Sequence, residues 1–286
     1  MSPRDAEAGR PRRRAIFMAA EKGGTGKSTA ARALVDYARR IGVRTAAWDT
    51  DGSVGQLLQC YGTKDRNGGI LPEQDPCVGA GYFNIRNDRQ RDRLFASVTG
   101  QDAPLSVYDM PGGILAELDR LFDAPGAGGR CVVDGFGRLG VDVTVAVVLT
   151  PMFASAKDLT LAVKSFGDGA RYAAIKNRAF GEPEDFVYFD GFTDSAGKQQ
   201  GGGGAREIAR LNGAVMVLPR LHPRTFAVID RKRLSFADAN RLRSDEGGLD
   251  LLDRMRLAHW LQELDAEIHR VGPVFGLARE PEPVGP

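Results

Sequence analysis

The first regular pattern of the chain is a short apolar run at 15–20, followed by a glycine-rich turn and a segment at 27–41 in which apolar residues recur every three or four positions. The spacing predicts a strand, a turn and an amphipathic helix, and Gly42 is typical of a residue that ends a helix. A second apolar run at 43–48 completes a strand–helix–strand unit. Such units build parallel sheets, so the start of the chain already favours an α/β fold.

The alternation of apolar runs and amphipathic segments continues towards the end of the chain. Short apolar runs bounded by turn residues are typical of buried parallel strands. Further strands are predicted at 78–85, 105–108, 143–149, 172–176 and 214–218, and helices at 89–97, 114–122, 157–166, 205–211 and 249–271. We therefore expect an α/β fold of three layers, with a mostly parallel central sheet and helices on both faces.

The two ends of the chain differ from this pattern. Residues 1–13 are charged and contain two prolines, which predicts a disordered basic tail, and residues 273–286 predict a flexible Pro-rich tail. Between them, 14–272 is expected to form one domain. The glutamine and glycine run at 199–204 predicts a flexible loop of this domain rather than a linker, because sheet-like segments flank it closely.

Composition limits the classes of function. Of the 286 residues 42% are hydrophobic, enough for a substantial core, and the formal net charge of +2 is not the basic excess of a dedicated nucleic-acid binder. The three cysteines have no metal-ligand spacing, which favours reduced thiols in a cytoplasmic protein. No secretory signal is visible, and the longest apolar stretch, 143–154, is shorter than the about 20 residues that cross a bilayer. We expect a soluble protein.

The most specific chemical signal is the sequence EKGGTGKST at 21–29, between the first predicted strand and the first predicted helix. Glycines allow backbone N–H groups to surround phosphate oxygens, and the start of a helix adds a partial positive charge at the same point. Lys27 is expected to reach the β- and γ-phosphates and the Ser28 hydroxyl to bind Mg²⁺. The predicted nucleotide-binding residues of this segment are Gly23, Gly24, Thr25, Gly26, Lys27, Ser28 and Thr29.

Two acidic segments support a nucleotide site. Asp51 follows the second predicted strand, and Asp109 follows the apolar run at 105–108, as does the Walker B aspartate that holds Mg²⁺ through water. Ser28, Asp51 and Asp109 are the predicted metal site, although an Asp-x-Asp segment alone often forms only a turn.

The phosphate-binding segment departs from the standard pattern, which has glycine at the position of Glu21, and it carries a second lysine, Lys22. It resembles the deviant Walker A P-loop of the ParA/MinD family of ATPases, and the resemblance covers roughly residues 14–220. This implies that Lys22 crosses a dimer interface to the nucleotide of the partner subunit, and that Asp51 positions the attacking water or the metal shell. Lys22, Lys27 and Asp51 are thus the predicted catalytic residues.

Other segments are also similar to the family. The sequence Asp-Met-Pro-Gly-Gly from Asp109 matches the Asp-x-Pro-x-Gly of its second switch, which implies that the backbone at Gly112 senses the γ-phosphate. Asp51, in contrast, is followed by Gly-Ser where the family often has proline and glutamine. The resemblance implies that the Asn177 amide recognises adenine, with Arg178 beside it and Pro219 on a second loop against the base. The Asn/Thr-Lys-x-Asp sequence of related GTPases is absent, which favours ATP over GTP.

The resemblance implies an ATP-hydrolysing switch that forms a homodimer around ATP and Mg²⁺ and positions or segregates a cargo, either plasmid DNA or a protein complex. Intrinsic turnover is expected to be weak, with a protein partner that activates it. The segment 181–205 is similar to an insertion of plasmid-stability or conjugal-transfer (StbB/TraL-like) ATPases. Two alternatives remain open: a metabolic P-loop enzyme, such as a kinase-like ligase or synthetase acting on a small acid, and a nucleotide-dependent adaptor without hydrolysis. The cysteine spacing disfavours an iron–sulfur reductase.

A basic cluster lies between the last predicted strand and the last predicted helix. Two interpretations remain open, a surface that binds DNA phosphates without sequence preference and a solvated helix face. The apolar side of the helix at 249–271 is expected to pack on the sheet rather than on a lipid surface. The members of the basic cluster are Arg220, Arg224, Arg231, Lys232, Arg233, Arg241 and Arg243.

Overall fold

The computed structural model describes residues 13–277, so most of the two predicted tails, 1–12 and 278–286, lies outside the described residues. At their inner ends the tail predictions are wrong. Arg13 belongs to the first strand, where its guanidinium donates to the carbonyls of Val98 and Leu139 at 2.6 and 2.7 Å. The last helix includes Pro273, because the buried side chains around it hold the helix end against the core.

The strands of the described residues form one large sheet and one small hairpin. They are β1 (Arg13–Ala19), β2 (Thr45–Asp49), β3 (Gly81–Tyr82), β4 (Leu105–Asp109), β5 (Val141–Leu149), β6 (Arg171–Asn177), β7 (Phe192–Thr193), β8 (Gln199–Gln200) and β9 (Ala214–Leu218). The large sheet has the order β3-β2-β4-β1-β5-β6-β9, and every neighbouring pair in it is parallel. The predicted fold class is confirmed.

Helices surround this sheet. They are α1 (Lys27–Arg40), α2 (Gln56–Tyr61), α3 (Arg93–Thr99), α4 (Ile114–Phe122), α5 (Gly128–Arg138), α6 (Phe153–Phe166), α7 (Val187–Asp190), α8 (Gly203–Arg210), α9 (Pro223–Lys232), α10 (Phe236–Arg241) and α11 (Leu251–Phe275), with 3₁₀ turns at Gly52–Val54, Pro183–Asp185 and Ser244–Glu246.

The core has two halves, one on each face of the sheet. Side chains alternate along a strand, so Ile16 and Met18 of β1 join the half formed with α1 and α11, whereas Phe17 joins the half formed with α5 and α6. Phe17 stacks on Tyr108 at 4.8 Å between ring centroids and meets the edge of Phe136 at 5.4 Å. Burial on both faces explains why the strands are nearly continuous apolar runs.

The apolar side of α11 packs on the core as its sequence predicts, except at the start of the helix, where Leu252 and Met255 are exposed. Leu257, Leu264 and Ile268 are buried in the same cluster as Met216 of β9. Among residues 13–277, no helix is long and apolar enough to cross a bilayer.

The structure corrects two local predictions. The glycine run at 199–204 is not a featureless loop, because Gln199–Gln200 pair with Phe192–Thr193 and α8 begins at Gly203. The strand predicted at 78–85 is reduced to Gly81–Tyr82, since its flanking residues turn to contact the loop after β2.

Candidate functional site

The phosphate loop, residues 21–26, connects β1 to α1 at the carboxyl edge of the sheet. Gly24 and Gly26 have φ values of 77° and 97°, a region that favours glycine. Gly26 directly precedes α1, and within residues 13–277 no side chain caps this helix start. The first N–H groups of α1 therefore remain available to an anion.

Lys27 is the first residue of α1 and is only 7% exposed. Its ammonium donates to the Lys22 carbonyl at 3.0 Å, so the side chain folds back over the phosphate loop. Burial lowers the pKa of Lys27, whereas the negative charges of Asp109, Asp158 and Asp51 act in the opposite direction. The lysine thus lies where the phosphates are predicted, with carboxylates around it.

Asp109 and Asp49 are register partners on the neighbouring strands β4 and β2, and both are buried. Burial raises the pKa of Asp109 to about 7, and the charge of Asp49 adds to this, while a hydrogen bond from the Ser28 hydroxyl and the charge of Lys27 lower it. The pKa of Asp49 rises to about 6, again chiefly through burial. A cation beside these carboxylates would offset both the burial and the repulsion.

The predicted metal residues are only partly brought together. Ser28 lies near enough to Asp109 to lower its pKa, but Asp51 is half exposed, and its Oδ1 lies 3.1 Å from Nη1 of Arg86. Between residues 13 and 277, no group of three or more His, Cys, Asp and Glu side chains is arranged to hold a metal ion. Such a sparse set suits Mg²⁺, which usually keeps several waters and one or two carboxylates.

Asp49 is a buried residue of the candidate site that the sequence reasoning did not single out. Its carboxylate accepts hydrogen bonds from the backbone N–H groups of Asp51 at 3.2 Å and Leu58 at 3.0 Å. It therefore fixes the predicted first switch, residues 49–52, to the start of α2. The signal was present, since Asp49 is the first aspartate of the Asp-x-Asp segment.

The predicted second switch, residues 109–113, packs against the phosphate loop. A Cβ atom at Gly112 would lie 3.2 Å from the backbone nitrogen of Gly23, so glycine permits this close approach. Both the N–H and the hydroxyl of Thr50 donate to the Asp109 carbonyl, at 3.1 and 2.8 Å. The phosphate loop and the two switches thus form one packed unit.

Asn177, the last residue of β6, closes the phosphate loop from the other side. Its Nδ2 donates to the Thr25 carbonyl at 2.9 Å, and its Oδ1 accepts from the N–H of Ala179 at 3.0 Å. Any side chain at Gly26 would collide with this amide. Because a primary amide carries two N–H hydrogens, one donor of Asn177 remains for a base. Adenine recognition by Asn177 stays a prediction.

Arg178 and Pro219 follow the neighbouring strands β6 and β9, and their loops adjoin. The Arg178 N–H donates to the Leu218 carbonyl at 3.0 Å, and its guanidinium pairs with Glu182 at 2.6 Å. The Pro219 carbonyl accepts from the indole N–H of Trp260 at 2.7 Å. A contact of Pro219 with a base would therefore involve its ring.

Lys22 is exposed at the mouth of the phosphate loop. Beside it, the N–H of Glu21 donates to Oδ2 of Asp158 on α6 at 3.2 Å. Burial raises the pKa of Asp158, which the charges of Lys27 and Lys22 oppose. In the sequence, Asp158 is 137 residues away from Glu21, its partner in the loop. Nothing in its local sequence distinguishes it from an ordinary helix residue.

Part of the basic cluster is neutralised by carboxylates of its own segment. The pairs are Arg224–Asp250 at 3.3 Å, Arg241–Asp238 at 2.9 Å and Arg243–Asp245 at 2.6 Å. The exposed members outside these pairs are Arg220, Arg231, Lys232 and Arg233. The basic surface is therefore smaller than the sequence indicates.

Solved structures of known proteins are similar to this chain at low identity. One is the septum site-determining protein MinD of Pyrococcus horikoshii complexed with Mg-ADP, with 14% identity, a TM-score of 0.50 and coverage of 91% of this chain and 98% of that chain. The MinD cell division protein of Aquifex aeolicus has 13% identity, a TM-score of 0.47 and coverage of 89% and 97%. A plasmid partition protein of Borrelia burgdorferi has 16% identity, a TM-score of 0.38 and coverage of 63% and 84%.

No protein-family model matches the chain, and no curated protein matches it. The likeness to the Pyrococcus horikoshii structure shows a shared P-loop α/β fold.

Proposed function

We propose that the chain is a Mg²⁺-dependent ATPase of the ParA/MinD type. The observation that carries this proposal is the phosphate loop, with its left-handed glycines, the uncapped start of α1 and the buried Lys27 folded over it. The Thr25 hydroxyl is also buried, and it has no hydrogen-bond partner among the described residues. A phosphate oxygen would supply the acceptor that this hydroxyl lacks.

The residues at the loop also fit Mg²⁺. The Ser28 hydroxyl and the Asp109 carboxylate would hold the ion, with waters completing its shell. When bound, Mg²⁺ neutralises the charge that develops on the transferred phosphoryl group. The raised pKa of Asp109 supports this assignment, because burial disfavours its charged form and a divalent cation would favour it.

The protein side chains would perform the remaining work. Lys27 would exchange the Lys22 carbonyl for β- and γ-phosphate oxygens, a better partner for a buried ammonium. Asp51, at the open side of the loop, would orient the attacking water. The close packing of Gly112 on Gly23 would let the second switch respond to the γ-phosphate.

Exposure of Lys22 supports a dimer. Lys22 is exposed and follows β1 at the same edge of the sheet as both switches, so a second subunit facing this edge would receive Lys22 at its own nucleotide. The nucleotide state would then control dimerisation. In this proposal the chain is one domain that positions or segregates a cargo, plasmid DNA or a protein complex, and a protein partner accelerates its turnover.

The base would lie between the loops after β6 and β9. Asn177 would offer its second amide hydrogen, Arg178 would flank the base, and Pro219 would contact it through its ring. The direct bond from Asn177 to the phosphate loop supports this placement, since it couples base binding to the shape of the loop.

Replacing Lys27 tests the phosphate assignment. Lys27→Ala should lose ATP binding in isothermal titration calorimetry and ATP hydrolysis in a phosphate-release assay, because the buried ammonium is the main cation of the loop. Lys198→Ala, which removes an exposed lysine of the β7–β8 hairpin, is the matched control and should behave as wild type. Wild-type ATP affinity in Lys27→Ala would exclude the assignment.

Lys22→Ala tests the dimer with the same assays plus size-exclusion chromatography. This variant should bind ATP but stay monomeric with ATP and Mg²⁺, since the cis phosphate contacts are intact. An ATP-dependent dimer of unchanged stability would remove the trans role of Lys22 and leave the ATPase assignment in place.

A further inference from the structure

Arg86 occupies a defined position beside the first switch. The residues that precede it run alongside this segment: the Ile85 N–H donates to the Thr50 carbonyl at 3.1 Å, and the Gly52 N–H donates to the Phe83 carbonyl at 3.3 Å. The backbone of Arg86 is therefore fixed relative to Asp51 by main-chain hydrogen bonds.

The guanidinium of Arg86 contacts three different segments. Its Nη1 lies 3.1 Å from Oδ1 of Asp51 in the first switch, and its Nη2 donates to the Gly112 carbonyl of the second switch at 2.6 Å. Its Nε lies 3.5 Å from Oε1 of Glu117 on α4. A single side chain thus links both switches to the helix that follows the second one.

Only arginine has the shape for this arrangement. Its donors lie in one plane in a rigid fork and can bind two acceptors at once, whereas a lysine ammonium is a point charge on a flexible stem. Further hydrogen bonds stabilise the backbone of Arg86, since its N–H donates to Oδ1 of Asn84 at 2.9 Å and its carbonyl accepts from Arg120 at 3.1 Å.

The sequence analysis assigned no role to Arg86. Neighbouring arginines have the same charge but other partners: Arg91 pairs with Asp88, and Arg89 is exposed. The contacts of Arg86 with both switches therefore distinguish it from its neighbours, and its charge alone does not.

We propose that Arg86 is a positioning residue for ATP hydrolysis that holds the Asp51 carboxylate in a fixed relation to the Gly112 carbonyl. Because the second switch packs on the phosphate loop, Arg86 holds Asp51 at the position from which Asp51 orients the attacking water. This inference rests on the proposed function. The role of Arg86 adds a coupling between the two switches to that function. This coupling acts through Asp51, and the contacts of the protein with the phosphates do not depend on it.

The test is a set of variants measured for steady-state hydrolysis and for ADP binding by calorimetry. Arg86→Gln should lower kcat about tenfold, which corresponds to about 1.4 kcal/mol, while ADP affinity stays within about twofold of wild type because the phosphate loop is intact. Arg86→Lys should recover only part of kcat, since it keeps the charge but not the fork. Arg89→Gln removes the same charge three residues away and should be neutral.

A double-mutant cycle identifies the residue through which Arg86 acts. In the Asp51→Asn background, the further change Arg86→Gln should have less than about twofold effect on hydrolysis, because the partner is already lost. An unchanged kcat in Arg86→Gln, or a tenfold loss that persists beside Asp51→Asn, would overturn the proposal.

The result is also separable from the proposed function. If the wild-type chain hydrolyses no ATP, the ATPase assignment fails together with this inference. If the wild type hydrolyses ATP and Arg86→Gln matches it, only the role of Arg86 fails. An equal loss of ADP affinity and kcat in Arg86→Gln would indicate a distorted phosphate loop and would also contradict the proposal.

Discussion

Replacement of Asp109 by asparagine should stabilise the nucleotide-free, Mg²⁺-free protein at neutral and alkaline pH. The cause is the burial of the carboxylate beside Asp49, which raises the pKa of Asp109 from an ordinary value of 3.8 to about 7. At 1.36 kcal/mol for each pH unit, the folded state loses about 4 kcal/mol of stability when this group ionises fully. Asparagine has nearly the same shape and never ionises.

The pH dependence follows from the direction of this change. Because the folded-state pKa is higher than the unfolded one, the folded chain binds the proton more tightly. The stability that Asp109 contributes is fully present below about pH 4 and is lost as the pH rises through about 7. Relative to wild type, Asp109→Asn should therefore gain roughly 1.5 kcal/mol at pH 5, already above the unfolded-state pKa, and about 4 kcal/mol at pH 8.

Urea unfolding followed by circular dichroism between pH 5 and pH 8, with EDTA present, measures this difference. Asp134→Asn, which changes an exposed carboxylate of α5, is the matched control and should run parallel to wild type. Addition of Mg²⁺ and ADP should stabilise the wild type more than Asp109→Asn. A constant difference between wild type and Asp109→Asn across this pH range would refute the reasoning, and so would a variant that becomes less stable at pH 8.

Two further predictions concern the phosphate loop and the basic cluster. Gly26→Ala should weaken ADP binding at least about tenfold, because the left-handed φ costs about 1–2 kcal/mol and the methyl group displaces Asn177. Gly42→Ala is the control, because Gly42 has a φ of 81° but open space around it. It should lose about as much stability in urea as Gly26→Ala but keep ADP binding. Equal losses of ADP affinity in the two variants would contradict the collision with Asn177. If the basic cluster binds DNA, fluorescence anisotropy should give a slope of about −4 for the logarithm of affinity against the logarithm of salt concentration. This slope counts one phosphate contact for each of the exposed basic residues outside the ion pairs. An affinity that does not change with salt would exclude phosphate binding.

The central strands and the phosphate loop could be predicted because the relevant interactions are local. The glycines at 23, 24 and 26 encode the turn, Lys27 begins the helix, and the apolar run before Asp109 encodes a strand buried on both faces. Each of these signals spans fewer than ten residues. Periodicity and turn chemistry therefore suffice to identify them.

The parts of the structure that could not be predicted from the sequence depend on contacts between distant residues or on atypical composition. Helix α5 was not predicted, because four of its eleven residues are glycines that lower its helix propensity, yet Val132 and Phe136, one turn apart, hold it in the core. Asp158 and Arg86 gain their places only when α6 and the loop after β3 fold against the phosphate loop and the switches. Neither contact has a signature in the neighbouring sequence.

The bond between the Trp260 indole and the Pro219 carbonyl has a practical consequence. The chain has two tryptophans, and this one is buried against the loop where the base is proposed to lie, while Trp48 directly precedes Asp49 on β2. Indole emission depends on hydrogen bonding and on nearby charge. The unlabelled protein thus contains two intrinsic optical reporters, one beside each end of the proposed nucleotide, that can follow its arrival and departure in stopped-flow experiments.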